Sequence, residues 1–508
     1  MRSENKRLPL IPMSYLEFRI RRLPLLIGPN PRRVLLRPFI PSLIVKPLER
    51  QEINPRVLSL FSRVMHLDES AVEAKLAEVF SDFHERHQKI HDIFAERFEQ
   101  IRPFLPTDRV LSQSRRLLLG SYFTNEYSLE STALFNPGMI PAPDQSGLNP
   151  GELRFFLSLR ATGEGHISSI TFRSGIVDLQ GNIRLDPVSP YVCQPRSQPA
   201  AKYDTPTFLR KLQELGVEYA DARGAMQGLP ETFVMEDLIT HVRHFRAGAE
   251  DPSVRRAGER AIMLAQANYT VRFADGLDIS EKILFPFAQS EINGIEDARF
   301  TRFQEADGSI SYTATYTAYD GSVVLPQILQ TRDFHEFSIR TLNGPAIRNK
   351  GMALFPKKIN GHYAMLGRQD GENIHLMFSD HLHFWYESQI LLRPSEPWEF
   401  VQLGNCGPPI ETAAGWLVIT HGVGPMRKYC LGAILLDLKD PSRILGRLCE
   451  PLLRPAPDER EGYVPNVVYS CGALLHGENI ILPYAVSDTS SRFAVVPLVD
   501  VLNEMKKS

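Results

Sequence analysis

The chain has 508 residues, of which 43% are hydrophobic and 23% are charged, and its formal net charge is −2. This composition is typical of an ordinary soluble globular protein, and the length indicates two or more structural units. A charge so close to zero gives no whole-chain argument for binding nucleic acid or a membrane surface, so we expect neither as a partner.

The five cysteines lie far apart, and none of them forms a CxxC pair or another metal-ligand spacing. They are Cys193, Cys406, Cys430, Cys449 and Cys471. We expect reduced thiols and no metal site. No apolar run approaches the roughly 18 residues that cross a bilayer, and Pro9, Pro12 and Arg19 interrupt any signal-peptide core. We therefore expect a cytoplasmic protein.

Residues 1–50 are locally basic, with eleven lysines or arginines against three glutamates. A basic arm can hold nucleic acid, but neither aromatic interleaving nor a groove-reading motif accompanies this one. We expect an extended arm that lies on a neighbouring subunit or on the rest of the chain.

Residues 53–103 have the apolar periodicity of a helix, and Asp68 is a suitable N-cap for one that continues to the end of this segment. His84, His87 and His91 would fall on one face of it at spacings of three and four. Such spacing can bind a metal ion, but no carboxylate ligand pattern accompanies it. We therefore assign no metal site here.

Short β-rich runs bounded by turns take over from about residue 117. The predicted strands are Phe155–Leu159, Ile167–Phe172, Ile310–Tyr319, His362–Leu366, Ile374–Phe378, Trp416–His421, Ala433–Leu438, Val467–Tyr469, Asn479–Pro483 and Phe493–Val499. Residues 196–267 interrupt them as an insertion on one loop. Its helical patterns are Thr207–Leu215, Glu231–Phe245 and Pro252–Gln266.

These patterns divide the chain into two parts. Residues 1–115 are predicted to form a basic arm and a helical region, which caps the molecule or joins the subunits of a homo-oligomer. Residues 116–508 are predicted to form a mainly β catalytic domain that carries the helical insertion at about 196–267.

A weak repeat runs through the β-rich part. Residues 331–337 (TRDFHEF) resemble residues 379–385 (SDHLHFW), since each has a turn aspartate followed by an aromatic and each follows a predicted strand. Their spacing of about 47 residues suits one four-stranded propeller blade, and roughly 300 residues outside the insertion are enough for five blades. The pattern is compatible with a five-bladed β-propeller, with a pair of β-sandwiches as the structural alternative, and periodicity alone does not separate the two.

One stretch, residues 291–319, combines an acidic pair with two alternating strands. Glu296 and Asp297 lie beside Arg299 where a loop enters a strand, and the turn at residues 306–308 (ADG) joins that strand to the next as a hairpin. Loops that a rigid scaffold holds at strand ends often carry catalytic groups. Asp297 is therefore a candidate catalytic carboxylate, and the alternative is a surface carboxylate paired with Arg299.

Further polar residues are dispersed along the chain, each at a predicted strand or turn. With the acidic pair, they are Asn136, Arg160, Glu296, Asp297, Arg348, Asn349, Lys350, Arg368, His421 and Asp488. The loops of a propeller converge on one central cavity, so these residues can form one site. Arginine, lysine and histidine together suit a phosphate or carboxylate, and a carboxylate opposite them suits proton donation to a glycosidic bond. The sequence has no P-loop, GxSxG elbow or HExxH motif, and a dinucleotide loop is not supported.

Ordered matches over about residues 115–500 resemble glycoside hydrolase family 130, which contains the β-mannoside phosphorylases. The matching segments are 126–139 (EYSLESTALFNPGM), 158–160 (SLR), 166–170 (HISSI), 294–300 (GIEDARF), 348–350 (RNK), 354–356 (LFP), 367–368 (GR), 407–410 (GPPI), 415–417 (GWL), 421–423 (HGV), 432–433 (GA), 435–437 (LLD) and 484–488 (YAVSD). The helical N-terminus and the insertion resemble only a longer-chain branch of that family.

The resemblance implies a five-bladed β-propeller with its active site in the central cavity and with no metal or organic cofactor. Asp297 would be the single general acid, and its proton would pass through a hydroxyl group of the bound mannose. Inorganic phosphate, the co-substrate, would attack the anomeric carbon from the opposite face and give α-mannose 1-phosphate with inversion. The implied substrates are β-manno-oligosaccharides, with β-1,2-linked ones favoured.

The other site residues take their implied roles from matching positions. Asn136, Arg160 and Asp488 would hold the mannosyl unit, with Glu296 and Lys350 as further substrate-binding candidates. The implied phosphate-binding group is Arg348, Arg368 and His421, with Asn349 adjacent to it.

Gln402 departs from the family pattern, in which phosphorylases usually have a lysine at this place. Loss of a charge-assisted contact typically weakens binding by about 1.5–3 kcal/mol, and Lys350 could supply part of the missing charge. The alternative is an inverting exo-β-mannosidase that uses water and needs a second carboxylate as base, for which Glu411 is a candidate. A third possibility is a non-catalytic sugar-binding propeller, against which the presence of Asp297 argues.

Overall fold

The computed structural model describes residues 20–39, 54–199, 202–248, 252–321 and 323–507. The predicted basic arm falls partly outside the described residues, because only its part from residue 20 to residue 39 is included.

Elements of the N-terminal part and of the first β-rich segment alternate between strands and helices. In chain order they are β1 (Arg21–Ile27), β2 (Val34–Pro38), α1 (Pro55–His66), α2 (Glu69–Phe83), α3 (Ile90–Ile101), α4 (Gln113–Tyr122), β3 (Thr124–Ser128), β4 (Ala133–Pro141), β5 (Leu153–Thr162), β6 (Ser168–Val177), β7 (Ile183–Leu185) and β8 (Arg196–Pro199). The predicted boundary between residues 115 and 116 falls within α4.

Helices dominate the predicted insertion. After β8, which lies at its start, its elements are β9 (Tyr203–Asp204), α5 (Thr205–Glu214), α6 (Tyr219–Met226), β10 (Thr232–Phe233), α7 (Met235–Gly248) and α8 (Pro252–Gln266). The helical pattern of the insertion is confirmed, although α6 was not among the predicted helices. These helices pack around their own apolar core, which includes Leu212, Leu238 and Leu264.

The regular elements of the remaining chain are nearly all strands. They are β11 (Tyr269–Arg272), β12 (Ile283–Leu284), β13 (Ile295–Gln304), β14 (Ile310–Tyr319), β15 (Val324–Thr331), β16 (Glu336–Thr341), β17 (Lys350–Leu354), β18 (Tyr363–Arg368), β19 (Ile374–Ser379), β20 (Gln389–Leu392), β21 (Gln402–Asn405), β22 (Ile410–Thr412), β23 (Gly415–Val423), β24 (Tyr429–Leu436), β25 (Ile444–Arg447), β26 (Val468–Tyr469), β27 (Leu474–His476), β28 (Asn479–Val486), β29 (Ser490–Pro497), α9 (Leu498–Glu504) and β30 (Lys506–Lys507).

The strands form five antiparallel sheets of four or more strands within the described ranges. Their orders are β4-β5-β6-β12 with β7 on β6, β13-β14-β15-β16-β11-β8, β17-β18-β19-β20, β21-β23-β24-β25-β30 with β22 on β23, and β26-β28-β29-β1 with β27 on β28. The pairs β2-β3 and β9-β10 form two smaller sheets. With 38% of residues in strands and 25% in helices, the prediction of a mainly β fold is confirmed.

The first strands of neighbouring sheets lie beside one another. β13 contacts both β4 and β17, and β17 contacts β21. Parallel bridges join Gly138 to Gly472 and Gln304 to Lys357. Because these strands run side by side, residues at their amino-terminal ends come together although they are far apart in sequence.

The weak sequence repeat marks the same position in two consecutive sheets. Residues 331–337 connect β15 to β16, and residues 379–385 follow β19 before β20. In both turns a hydroxyl oxygen accepts a backbone N–H, from Phe334 to Thr331 (2.9 Å) and from His381 to Ser379 (3.0 Å). The hairpin predicted at residues 306–308 is also confirmed, between β13 and β14.

The described part of the arm lies on the rest of the same chain. β1 pairs with β29 as the outer strand of its sheet. After β1, the fully buried Arg33 donates to Glu130 Oε1 at 2.9 Å, and Arg173 donates to the same carboxylate. Removing one partner of a buried ion pair typically costs about 3–5 kcal/mol of stability. This cluster therefore holds the described part of the arm against the rest of the chain.

The single long helix predicted after Asp68 is wrong. Asp68 does cap a helix, by accepting from the Ala71 backbone N–H at 2.8 Å, but α2 ends at Phe83. Lys89 adopts a left-handed conformation (φ 56°) before α3 begins. The cause is tertiary, since the side chains of Arg86 and His87, between the helices, contact the Glu126 carboxylate on β3. Within the described ranges, no helix has both the length and the apolar character that crossing a bilayer requires.

Candidate active site

Four of the predicted site residues have left-handed backbone conformations. Their φ angles are 49° for Asn136, 54° for Asp297, 61° for Asn349 and 52° for Asp488. Asn136 and Asp297 lie in β-bulges of β4 and β13, where the pairing register shifts. Asparagine and aspartate tolerate this conformation better than other residues with a Cβ atom. Bulges and left-handed residues re-aim side chains and cluster at functional sites.

Asp297 lies in a dense network on one side of the site, which we call the acid side (Asn136, Arg160, Glu296 and Asp297). The Asn136 amide donates to Asp297 Oδ1 at 2.7 Å, and Arg160 Nη1 lies 3.4 Å from the same oxygen. Arg160 also donates to Glu296 Oε1 at 2.9 Å and to Ser168 Oγ at 2.9 Å. Arg160 is thus held in one position by three acceptors.

The alternative of a surface carboxylate paired with Arg299 is wrong. The Asp297 side chain is only 14% exposed. Arg299 is 3% exposed and donates to the backbone oxygen of Asp297 rather than to its carboxylate. Burial alone would raise the pKa of Asp297, but Arg160, Arg299, Lys350 and the Asn136 amide outweigh it and hold the pKa below its usual value. These contacts therefore favour the ionised form of Asp297.

Asp488 is a second carboxyl group near the acid side. It lies in the turn between β28 and β29. Burial, and then the negative charge of Asp297, raise the pKa of Asp488 from 3.8 to about 6, against the opposing effects of Arg160 and Arg427. Two neighbouring carboxyl groups with pKa values pushed apart are typical of sites that use acid–base chemistry.

Arg368, Gln402 and His421 meet on the other side of the site, which we call the anion side. Arg368 Nη1 and Gln402 Nε2 each lie 3.3 Å from His421 Nε2. The His421 ring lies over Gly404 across the β21–β23 pair, where a Cβ atom would come within 2.4 Å of the imidazole Cε1. A glycine at this position therefore makes room for the histidine.

His421 is neutral in this arrangement. Its side chain is buried, at 1% exposure. Burial, together with the charges of Arg368 and Arg299, holds its pKa well below the usual value. Because Arg368 can only donate, Nε2 is the accepting nitrogen, and Nδ1 then carries the proton toward Cys406 Sγ at 3.6 Å.

Tyr469 links the two sides and was not predicted as a site residue. Its hydroxyl accepts from Arg299 at 2.6 Å, and its ring lies edge-on to His421 with 4.9 Å between centroids. No motif singles out this tyrosine, which the sequence shows only as the end of a short predicted strand. Contact with two buried site residues is a purely tertiary property.

The RNK segment is divided between the acid side and the exposed rim. Lys350 pairs with Arg368 across β17 and β18, and its Nζ lies 3.5 Å from Glu296 Oε2. Arg348 is exposed and donates from Nε to the Pro345 backbone oxygen at 3.1 Å, not toward the anion side. Asn349 is also exposed. The structure therefore brings Arg368 and His421 together but leaves Arg348 and Asn349 at the rim.

Glu411, the candidate base for hydrolysis, lies away from the site. It pairs with Lys357 at 2.6 Å and is opposite Trp416 in the β22–β23 pair. His421 is five residues farther along β23, about 16 Å at the usual rise per strand residue. Glu411 therefore cannot act opposite Asp297, and this assignment is wrong.

The three histidines near α2 and α3 do not share one helix face. His84 directly follows α2, and His91 lies in α3. Between them, His87 contacts Glu126 with 2.6 Å between Nε2 and Oε1. Within the described residues, no three His, Cys, Asp or Glu side chains are grouped closely enough to hold a metal ion.

Each side of the site has one buried polar atom without a protein partner among the described residues. On the acid side it is Asn136 Oδ1, an acceptor, and on the anion side it is Arg368 Nε, a donor. Buried polar atoms are nearly always paired, so both are suited to a ligand. An acceptor suits a sugar hydroxyl, and a guanidinium donor suits an anionic oxygen.

A family model described as β-1,4-mannooligosaccharide phosphorylase, that of glycoside hydrolase family 130, matches residues 247–507, just over half of the chain. The chain belongs to glycoside hydrolase family 130. The matched range contains Asp297 and the whole anion side.

Named members of family 130 resemble this chain over somewhat less than half of its length. A 1,2-β-oligomannan phosphorylase from Thermoanaerobacter sp. is 35% identical over 238 residues, which cover 45% of this chain and 77% of that protein. A β-1,2-mannobiose phosphorylase from Listeria innocua is 32% identical over 236 residues, which cover 44% of this chain and 63% of the relative.

A solved structure of the Listeria innocua β-1,2-mannobiose phosphorylase, in complex with β-1,2-mannobiose, also aligns with this chain. Its TM-score is 0.45 and its sequence identity is 23%, and the alignment covers 75% of this chain and 93% of that one.

Proposed function

We propose that this protein is an inverting β-mannoside phosphorylase. It cleaves β-manno-oligosaccharides, preferentially β-1,2-linked ones, with inorganic phosphate and releases α-mannose 1-phosphate. The observation that carries the proposal is the convergence of Asp297 with half-buried Arg368 and buried His421 in one site, where both charged groups act on the His421 imidazole. The names of the relatives support both the reaction and the linkage.

In the proposed reaction the mannosyl unit occupies the acid side. Asn136 and Arg160 position its hydroxyl groups, and Asp488 binds it from the neighbouring turn. Asp297 donates a proton that reaches the glycosidic oxygen through a mannose hydroxyl, while the bond from that oxygen to the anomeric carbon breaks. A phosphate oxygen bonds to the same carbon from the opposite face, which inverts the configuration.

Asp297 must gain a proton before it can donate one. In the ligand-free protein its pKa lies below the usual value, so the proton arrives when the bound sugar excludes water from the carboxyl group. Loss of solvent favours the neutral form of a carboxyl group. Asp488, with its pKa of about 6, holds a proton close by at mildly acidic pH, and it is the second candidate for the acid.

Phosphate occupies the anion side in this proposal. Arg368 offers its unpaired Nε and can turn Nη1 from His421 to the anion. Gln402 takes the place of the family lysine and contributes a neutral donor, so the cationic charge comes from Arg368, from Lys350 beside Glu296 and, at the rim, from Arg348. Because His421 is already neutral, its Nε2 can accept a hydrogen bond from a phosphate hydroxyl without first losing a proton.

Hydrolysis is less well supported than phosphorolysis. An inverting hydrolase needs a carboxylate base on the face opposite the acid, about 6.5–9.5 Å from it. Among the residues that the structure describes, no carboxylate pairs with Arg368, Gln402 or His421, and Glu411 is held by Lys357. These contacts favour an anionic nucleophile over an activated water.

The finer fold assignment is part of the same proposal. The five larger sheets are the blades of a β-propeller, and β1 pairs with β29 as the outer strand of one blade, so that blade combines residues 21–27 with the last strands of the β-rich part. No organic cofactor is needed, because phosphate is the nucleophile. A homo-oligomer built through the N-terminal helices, and a cytoplasmic location, stay predictions.

Incubation with β-1,2-mannobiose, with and without phosphate, tests the proposed function. We expect α-mannose 1-phosphate and mannose in equal amounts, and turnover only when phosphate is present. Turnover that does not depend on phosphate and yields only mannose would contradict the proposal and favour the mannosidase.

A further inference from the structure

We propose that His166 and Tyr463 form a stacking surface for the sugar on the leaving-group side of the scissile bond. This inference rests on the proposed function and extends it to the residues that bind the acceptor in the reverse reaction. We call these two residues the aromatic pair.

The aromatic pair is stacked but exposed. The two ring centroids are 5.7 Å apart, with 27° between the ring planes. Tyr463 is 60% exposed and His166 is also exposed. Stacked rings that face water rather than a core present a flat apolar surface, and such exposed surfaces commonly mark binding sites.

Tyr463 is fixed beside the turn that carries Asp488. Its backbone N–H donates to Thr489 Oγ1 at 2.9 Å, and the next residue, Val464, donates to the Ser487 backbone oxygen at 3.0 Å. These bonds flank Asp488 on both sides. Tyr463 therefore adjoins the residue that we place against the mannosyl unit.

His166 reaches the same place from the turn between β5 and β6. Ser168, two residues later, accepts from Arg160 Nε at 2.9 Å. The turn that carries His166 therefore adjoins the acid side. His166 has a left-handed conformation (φ 60°), which is uncommon for a residue with a Cβ atom. The aromatic pair thus continues the wall formed by Arg160 and Asp488 outward to solvent.

This position determines which sugar would stack there. The mannosyl unit that is transferred lies deep in the site, between Asp297 and the anion side. The unit that leaves lies on the solvent side, and one face of a pyranose ring presents C–H groups that fit a flat aromatic surface. The ligand is therefore a neutral pyranose, the mannose unit that is released or the end of the oligosaccharide that accepts.

In the reverse reaction, binding at the two sugar positions can be measured separately, because the concentrations of mannose 1-phosphate and of the acceptor are varied independently. We would measure KM for β-1,2-mannobiose as acceptor and KM for α-mannose 1-phosphate in Tyr463→Ala, Tyr463→Phe and His166→Asn. The asparagine tolerates the left-handed backbone while removing the ring. Tyr386→Ala is the matched control, because Tyr386 is 57% exposed and follows the end of β19 that lies away from Arg368.

We expect Tyr463→Ala to raise the acceptor KM about tenfold, the scale of one lost aromatic contact, with KM for mannose 1-phosphate nearly unchanged. Tyr463→Phe should raise it less, since the ring is kept, and Tyr386→Ala should have no effect. An unchanged acceptor KM in both Tyr463→Ala and His166→Asn would overturn the inference. If one variant fails to fold, the other decides. Absence of mannose 1-phosphate turnover in the unmodified enzyme would instead overturn the proposed function.

Discussion

The acid side and the anion side differ in how completely their charged groups are paired. On the acid side, Asp297 accepts from Asn136 at 2.7 Å, and Arg160 is shared among three acceptors. On the anion side, Arg368 and Gln402 both point at one neutral nitrogen of His421 at 3.3 Å, and Arg368 Nε has no partner among the described residues.

This difference indicates how each side works. The acid side is preorganised, so a neutral sugar can replace a few contacts without rearrangement of the charged groups. The anion side has more donors than acceptors, and it becomes fully paired only when an anion is present. The predictions below separate the two sides, beginning with the largest expected effect.

Asp297→Asn should lower kcat by about 10²–10⁴-fold, the usual contribution of general acid catalysis. The substitution keeps the shape and the left-handed backbone but removes the proton. Phosphate binding, measured by calorimetry, should change little, because the anion side is intact. Near-normal kcat in Asp297→Asn together with a large loss in Asp488→Asn would transfer the acid role to Asp488.

Asp488→Asn should change how stability depends on pH. A carboxyl group whose pKa is raised by folding stabilises the fold fully below its unfolded value of 3.8, and that contribution is lost as the pH rises through about 6. The free energy of unfolding of the unmodified protein should therefore fall by on the order of 2–3 kcal/mol between pH 4 and pH 7, relative to Asp488→Asn. Denaturant unfolding at several pH values measures this, and parallel curves would contradict the raised pKa.

Arg368→Gln should raise KM for phosphate about 10–100-fold, since a hydrogen bond to a charged group contributes about 1.5–3 kcal/mol. Arg348→Gln is the matched control. Arg348 is exposed, and exposed ionic contacts contribute about 0–1 kcal/mol, so we expect less than about a fivefold effect. Equal effects from the two substitutions would mean that the anion side is not where phosphate binds.

Gln402→Lys should lower KM for phosphate by about tenfold, by restoring one charge-assisted contact. Gln402 already lies 3.3 Å from His421, so the longer side chain can reach the same anion. KM for β-1,2-mannobiose should stay the same. A change in the mannobiose KM without a change in the phosphate KM would contradict the division into two sides.

The sequence predicts much of the fold because its signals are local. The turn at residues 306–308 and the cap at Asp68 are both found where expected. The break between α2 and α3 could not be predicted, because it depends on contacts of Arg86 and His87 with Glu126, which lies 40 and 39 residues farther along the chain. Local periodicity contains no information on such a contact.

In the candidate site too, the sequence predicts some residues correctly and fails for those whose place depends on tertiary contacts. Asn136, Arg160 and Asp297 meet as the sequence motifs predict, and so do Arg368 and His421. Tyr469 was missed because its place in the site depends on tertiary contacts. For the same reason, Glu411 was wrongly predicted to lie opposite Asp297, and Arg348 was wrongly predicted to point toward Arg368 and His421. Nothing in the sequence around these residues records which end of a strand or which partner they face.

A structure of the Asp297→Asn variant with β-1,2-mannobiose and phosphate tests the two-sided site most directly, because the variant should bind both substrates without turning them over. We predict a mannosyl unit against Asn136 and Arg160, and a phosphate that contacts Arg368 and His421 on the opposite face of the anomeric carbon. A phosphate bound elsewhere, or a water held by a carboxylate on that face, would contradict the account.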